Sequence, residues 1–284
     1  MKKIIAIAVA GAFVAPVFAA EITLGGDVEY YFSESDGANA AVVSDVDINV
    51  DFTEDLGNGL TVSGYVEGAD DNTGDLVSLV SVSGDFGAVT TGDDGDHAAN
   101  AYDDVTDVAP FGMGDGVGTS GTMVNNVLLE PNLGVAGLTL GLGYSAGAAG
   151  VGEMSSYGVK YEFGSMSVRI GATDEDGVSD SASHVSATYS GNGIYAAYEV
   201  IENQSGTTDN ELTKYAFTYT MGDIKAFFEV QEAQASSTAT EYAETGYGAY
   251  YTVGGGLKLY AEAHTQESAS ADVDTTVLGM TYSF

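Results

Sequence analysis

The chain has no cysteine and no tryptophan, three prolines, and only seven lysines and arginines in 284 residues. Each shortage excludes something. Without Cys no disulfide can staple the fold. His97, His184 and His264 are scattered and have no ligand spacing that suits zinc. Clustered bases are what nucleic acid requires, and none are present, so that class of partner is excluded by repulsion. The apolar run near the start is too short for a comfortable membrane-spanning helix, and no other apolar stretch is long enough either. Any membrane contact must therefore be made by strands.

The one apolar run belongs to a leader. Lys2 and Lys3 precede Ile4 to Val14, and Pro16-Val17-Phe18-Ala19 supplies small residues for cleavage. Residues 1–19 read as a secretory signal peptide, and residues 20–284 as one mature domain. All 42 acidic residues lie in that domain, against five bases, Lys160, Arg169, Lys214, Lys225 and Lys258, for a net charge of −37. A field of that sign attracts cations. Disorder does not fit, because the chain carries 18 Tyr and 11 Phe.

From Ala20 onward the dominant pattern alternates with period two, the mark of strands with unlike faces. Val46, Ile48, Val50 and Phe52 alternate with Asp45, Asp47, Asn49 and Asp51. An aspartate face is costly against a dry core and tolerable against water. Leu138, Leu140, Leu142 and Tyr144 keep one apolar face, as do Tyr215, Phe217, Tyr219 and Met221. Sixteen periodic segments can be marked, from 20–32 and 42–53 through 122–129, 194–201 and 211–221 to 274–284. Short Gly/Asn turns such as Ser190-Gly191-Asn192-Gly193 alternate with longer acidic connections, among them 33–41, 93–121, 174–180 and 202–210. An even strand count with turns sorted by length matches a transmembrane barrel. An edge in hydrocarbon costs several kcal/mol per unpaired group, so the sheet must close. The expected fold is all-β: a transmembrane 16-stranded antiparallel β-barrel with a long third loop folded into the lumen. Sixteen strands enclose a channel too wide for side chains to fill.

The third loop carries the candidate site. Residues 93–121 form the longest stretch without strand periodicity, and loops of that length are usually functional. Asp93, Asp94, Asp96, Asp103, Asp104, Asp107 and Asp115 lie in it, with no Lys or Arg. These acids read as the lining of a constriction; the bland reading is a solvated loop face. By parity Asp45, Asp47, Asp51 and Glu67 face the lumen, as do Lys160 and Arg169. Asp93, Asp94 and Asp96, and the run Asp174-Glu175-Asp176-Gly177, are candidate Ca²⁺ ligands without the spacing of a calcium loop. No nucleophile elbow or phosphate loop is present, so no enzyme is expected.

Three stretches carry a family resemblance: Gly84-Asp85-Phe86-Gly87 leading to Gly92, Glu130-Pro131-Asn132, and the terminal Tyr282-Ser283-Phe284. Within the loop, Pro110-Phe111-Gly112-Met113-Gly114-Asp115 is similar to the tip of an inward-folded third loop. In this order the mature chain resembles the general diffusion porins of Gram-negative outer membranes. The resemblance implies a homotrimer in the outer-membrane bilayer, one pore per subunit, and passive diffusion of small hydrophilic solutes and ions. It also implies loop acids set against arginines on the early strands. Residues 20–83 contain no Lys or Arg, so that opposition is in doubt and a cation-preferring pore is expected. Two competing readings are a structural or adhesive barrel with a plugged lumen, and a soluble, salt-adapted β protein that buries Tyr215, Phe217 and Tyr219 against a second sheet.

Overall fold

The computed structural model describes residues 20–69, 76–92, 105–106, 108–109, 126–146, 152–175, 180–205, 208–235, 242–268 and 272–284. Sixteen strands account for nearly all of them: β1 (Glu21–Ser35), β2 (Ala41–Gly57), β3 (Leu60–Ala69), β4 (Leu76–Gly84), β5 (Gly87–Gly92), β6 (Asn126–Pro131), β7 (Leu138–Ser145) and β8 (Met154–Phe163), followed by β9 (Met166–Glu175), β10 (Asp180–Gly191), β11 (Ile194–Ser205), β12 (Thr208–Met221), β13 (Ile224–Ala235), β14 (Tyr242–Gly254), β15 (Leu257–Ser268) and β16 (Val273–Ser283). Each pairs antiparallel with its neighbours in sequence, and β1 pairs with β16 to close the barrel. The closing seam runs from Asp27↔Ser283 to Ser35↔Thr275. No edge is left to meet lipid.

The register sorts every strand into two faces. On β12, Lys214, Ala216 and Thr218 are buried while Tyr215, Phe217 and Tyr219 are 44–46% exposed. Their partners continue the same division around the ring: Lys214 faces Glu199 on one side and Gln231 on the other. Polar residues are thus covered on the concave inner face, and large apolar residues are open on the outer one. A soluble sandwich would show the reverse. Among the described residues no second sheet covers Tyr215, Phe217 and Tyr219, so the salt-adapted soluble reading is not the one the fold supports. The outer aromatics also pair across strands, as Tyr198 does with Tyr215 at 5.2 Å between ring centroids.

Two-residue turns join β2 to β3, β4 to β5, β8 to β9, β10 to β11, β12 to β13 and β14 to β15, and the connection 132–137 joins β6 to β7, so the short connections gather at one end of the barrel. At the first of them Asn58 has φ 55° between Gly57 and Gly59, both at φ 75°. Asn and Gly tolerate this left-handed backbone, and the Asp55 carboxylate accepts the Gly57 N–H at 2.8 Å.

Several boundaries differ from the periodic reading. The second strand continues past 53 to Gly57, and the sixth, expected over 122–129, continues to Pro131, with 122–125 outside the described residues. The connection expected over 202–210 shrinks to residues 206–207, because β11 and β12 stay paired out to Ser205↔Thr208. Alternating polarity stops where the lipid stops, but backbone pairing continues into water.

Candidate functional site: the two walls of the lumen

The inner face of β1–β3 is acidic. Asp27, Glu29, Asp45, Asp47, Asp51 and Glu67 all point inward and are half-buried. Asp27 stands directly across from Asp47, and Glu29 from Asp45. Like charges facing across a ladder repel, which suits a wall exposed to water and counter-ions. Asn49 orders part of it by donating from Nδ2 to Oδ2 of Asp51 at 2.8 Å. Asp27, Asp47, Asn49 and Glu67, with Gly25, Gly26 and Phe284, line a niche of about 300 Å³. No Lys or Arg occurs from residue 20 to residue 159, so β1–β7 carry no base at all.

The inner face of β11–β14 is built differently. There Val105, Val108 and Ala109 are buried against Ala197, Ala216 and Phe227, with Tyr195 and Tyr250 packed beside them, and Thr106 between them is buried too. These four residues belong to the connection between β5 and β6, so this part of the third loop lies inside the barrel. Its backbone and hydroxyl groups are taken up by the wall. Tyr195 donates its hydroxyl to the Val105 carbonyl and Tyr250 donates to the Val108 carbonyl. The Val108 N–H donates to Oε2 of Glu229 at 3.4 Å, and Thr106 Oγ1 donates to Oε2 of Glu199 at 3.3 Å. Both carboxylates are essentially fully buried, at 0% and 1% exposure. A segment without strand partners leaves main-chain groups to satisfy, and these side chains satisfy them.

The five bases are all on the inner face, in the β8–β15 sector. Lys160 on β8 and Arg169 on β9 are cross-strand neighbours, and Lys160 Nζ lies 3.1 Å from Oε1 of Glu162. Lys214 pairs across the ladder with Glu199. Lys225 sits 5.2 Å from the centre of the Tyr250 ring. With sixteen strands in the ring, Arg169 on β9 is eight strands from β1. The early strands β1–β7 thus carry acids and no base, while the later strands carry all five bases together with inward acids such as Glu199, Glu229 and Glu262; Lys258 on β15 lies two strands from β1. His184 and His264 also face inward and are buried. His264 Nε2 is 3.5 Å from Oε2 of Glu262.

The loop acids Asp93, Asp94, Asp96, Asp103, Asp104, Asp107 and Asp115 fall outside the described residues, and so does the candidate calcium run built on the first three. Asp174 is exposed on β9, and Asp176 and Gly177 are outside the described residues. Sequence reasoning missed Tyr195, Glu199, Glu229 and Tyr250. Their only signal was inward parity, which they share with every alternate residue.

Residues 6–271 match the family model described as Gram-negative porin. The chain belongs to the Gram-negative porin family. No curated protein matches it by sequence. Among solved structures, a loop-deletion form of OmpT, an outer membrane protein of Vibrio cholerae, superposes with a TM-score of 0.77 at 18% identity, covering 94% of this chain and 100% of that one. The anion-selective porin from Comamonas acidovorans gives 0.77 at 16% identity, covering 93% and 100%. The trimer form of Vibrio cholerae OmpT gives 0.73 at 16% identity, covering 94% and 100%. At such low identity these likenesses carry the porin fold and nothing finer. This porin is thus an outer-membrane channel barrel, and its selectivity has to be argued from its own side chains.

Proposed function

We propose that this porin is a water-filled, cation-preferring channel for small hydrophilic solutes and ions, assembled as a homotrimer. The observation that carries the sign is the wall of β1–β3, where six carboxylates face the lumen and no base lies on any of the first seven strands. Charged groups lining a pore set which ions it prefers. The path runs beside that wall. Its inner residues are half-exposed, while the opposite β11–β14 wall is covered by Val105–Ala109. Asp103, Asp104 and Asp107 flank or interrupt the buried loop residues in sequence, which supports their facing the same path from the other side. None of the five bases is on the acidic wall itself: Lys258 on β15 is the nearest, two strands from β1, and Lys160 and Lys225 lie close to a carboxylate and a ring that occupy them.

The trimer is supported by the family and by a trimer form of Vibrio cholerae OmpT. Chemical cross-linking in detergent tests it, and a monomer ladder with no trimer band would count against it.

Reversal potential across a potassium chloride gradient in a planar bilayer tests the channel. The expected sign is that of cation preference. Anion preference would overturn the assignment of the acidic wall. An absence of current would favour the plugged structural barrel.

A further inference from the structure

Tyr260, on the inner face of β15, is 5% exposed. Across the ladder from it on β16 is Gly279, and across from Gly279 on β1 is Tyr31. A Cβ at position 279 would lie 2.2 Å from Cζ of Tyr260 and 2.3 Å from its hydroxyl oxygen. The phenol ring thus occupies the space any larger residue at 279 would fill, and it lies across β16. Its hydroxyl donates to Oε1 of Glu29 on β1 at 2.6 Å, a length typical of a bond to a charged acceptor. A single side chain therefore reaches from β15 to β1, over the strand whose pairing with β1 closes the barrel.

The acceptor is one of the wall acids. Glu29 faces Asp45 across the ladder and has Asp27 beside it on the same face of β1. Repulsion from those neighbours pushes its carboxylate away from the wall. An arginine would hold it in place but cancel its charge, and no base lies on β1–β7. A neutral hydroxyl holds it and leaves the charge intact.

We infer that Tyr260 is a positioning residue: through the bare backbone of Gly279 it straps Glu29 into the acidic wall and ties β15 to β1 over the closing seam. The effect on current rests on the channel reading above; the strap itself does not.

The test uses the full-length refolded porin with Tyr260→Phe, Glu29→Gln and both together. Thermal unfolding in detergent is measured on each. Each single change is expected to lower the midpoint by about 5 °C, from the loss of one charge-assisted bond. The double variant is expected to fall no further than Tyr260→Phe alone, because Tyr260→Phe removes the whole contact and Glu29→Gln only weakens it to a neutral bond. Reversal potential is then measured in a salt gradient. Tyr260→Phe should move it toward zero, part of the way to Glu29→Gln, and should add nothing when Glu29 is already Gln. Gly279→Ala, which evicts the ring, should reproduce Tyr260→Phe in both measurements. Additive losses of thermal stability would overturn the strap. So would a Tyr260→Phe channel less stable than the parent but with the parent's reversal potential, since the hydroxyl would then position no charge. A parent that passes no current would defeat the channel reading alone, and the thermal cycle would still decide the contact.

Discussion

Tyr195 and Tyr250 do the same job from opposite sides of one segment. Each sends a hydroxyl to a main-chain carbonyl of the third loop, Val105 in one case and Val108 in the other. Changing either to Phe removes the donor and leaves a buried carbonyl unsatisfied, at a cost of about 1–3 kcal/mol. Because the segment borders the open side of the lumen, loosening it should appear in the current. Tyr250→Phe is expected to give a larger and noisier single-channel conductance in a planar bilayer, and Tyr195→Phe combined with it more so. Parental conductance and noise in the double variant would show that this segment does not bound the path. These bonds were not legible in the sequence. Inward parity marks Tyr195 and Tyr250 as facing the lumen, but no local pattern links them to a segment some ninety and one hundred and forty residues earlier. The inward direction of Asp45, Asp47 and Asp51 was legible, because period two is a property of the strand alone.

At the scale of one strand, β2 carries the contrast between faces most plainly. Ile48 is 48% exposed on the outside, and Asp47 is half-buried on the inside, one residue away. Ile48→Arg puts a charge into hydrocarbon near the middle of the strand, which costs roughly 2–4 kcal/mol at the bilayer midplane. Asp47→Arg puts the same charge into water and is expected to cost less than about 1 kcal/mol. Urea titration of folding into lipid vesicles measures both. Equal costs would mean that the two faces are not lipid and water. The same strand shows where sequence reading stops. Its alternation locates the membrane-crossing part, but the bulge between Asp55 and Gly57 and the turn at Asn58-Gly59 lie beyond the alternating run. The β11–β12 hairpin errs in the same direction: Glu202 to Asn210 read as a polar connection, yet they pair almost to the tip. Polar strands in water do not alternate, so period two cannot mark their ends.

For the whole molecule, fold and selectivity separate. The porin from Comamonas acidovorans is anion-selective on a barrel of the same shape, so the sign of preference cannot come from sixteen strands and a closed seam. It must come from the charge on the inner wall, and here six carboxylates of β1–β3 face the lumen with no base on the first seven strands. Charge acting through water is screened by salt. The Debye length is about 10 Å at 0.1 M and about 3 Å at 1 M. At the lower concentration the field of the β1–β3 acids reaches well into the aqueous path. At the higher one it is confined to a thin layer at the wall, and ions pass outside it. The cation-to-anion permeability ratio should therefore fall steadily as symmetric salt is raised from 0.1 M to 1 M at fixed gradient, approaching the ratio of free diffusion. Neutralising Asp45, Asp47 and Asp51 to Asn should weaken that dependence, because it removes three of the six wall carboxylates being screened. A ratio independent of salt would point instead to a narrow site that strips ions of water, where contact and not field decides, and the long-range role given to the acidic wall would have to be abandoned.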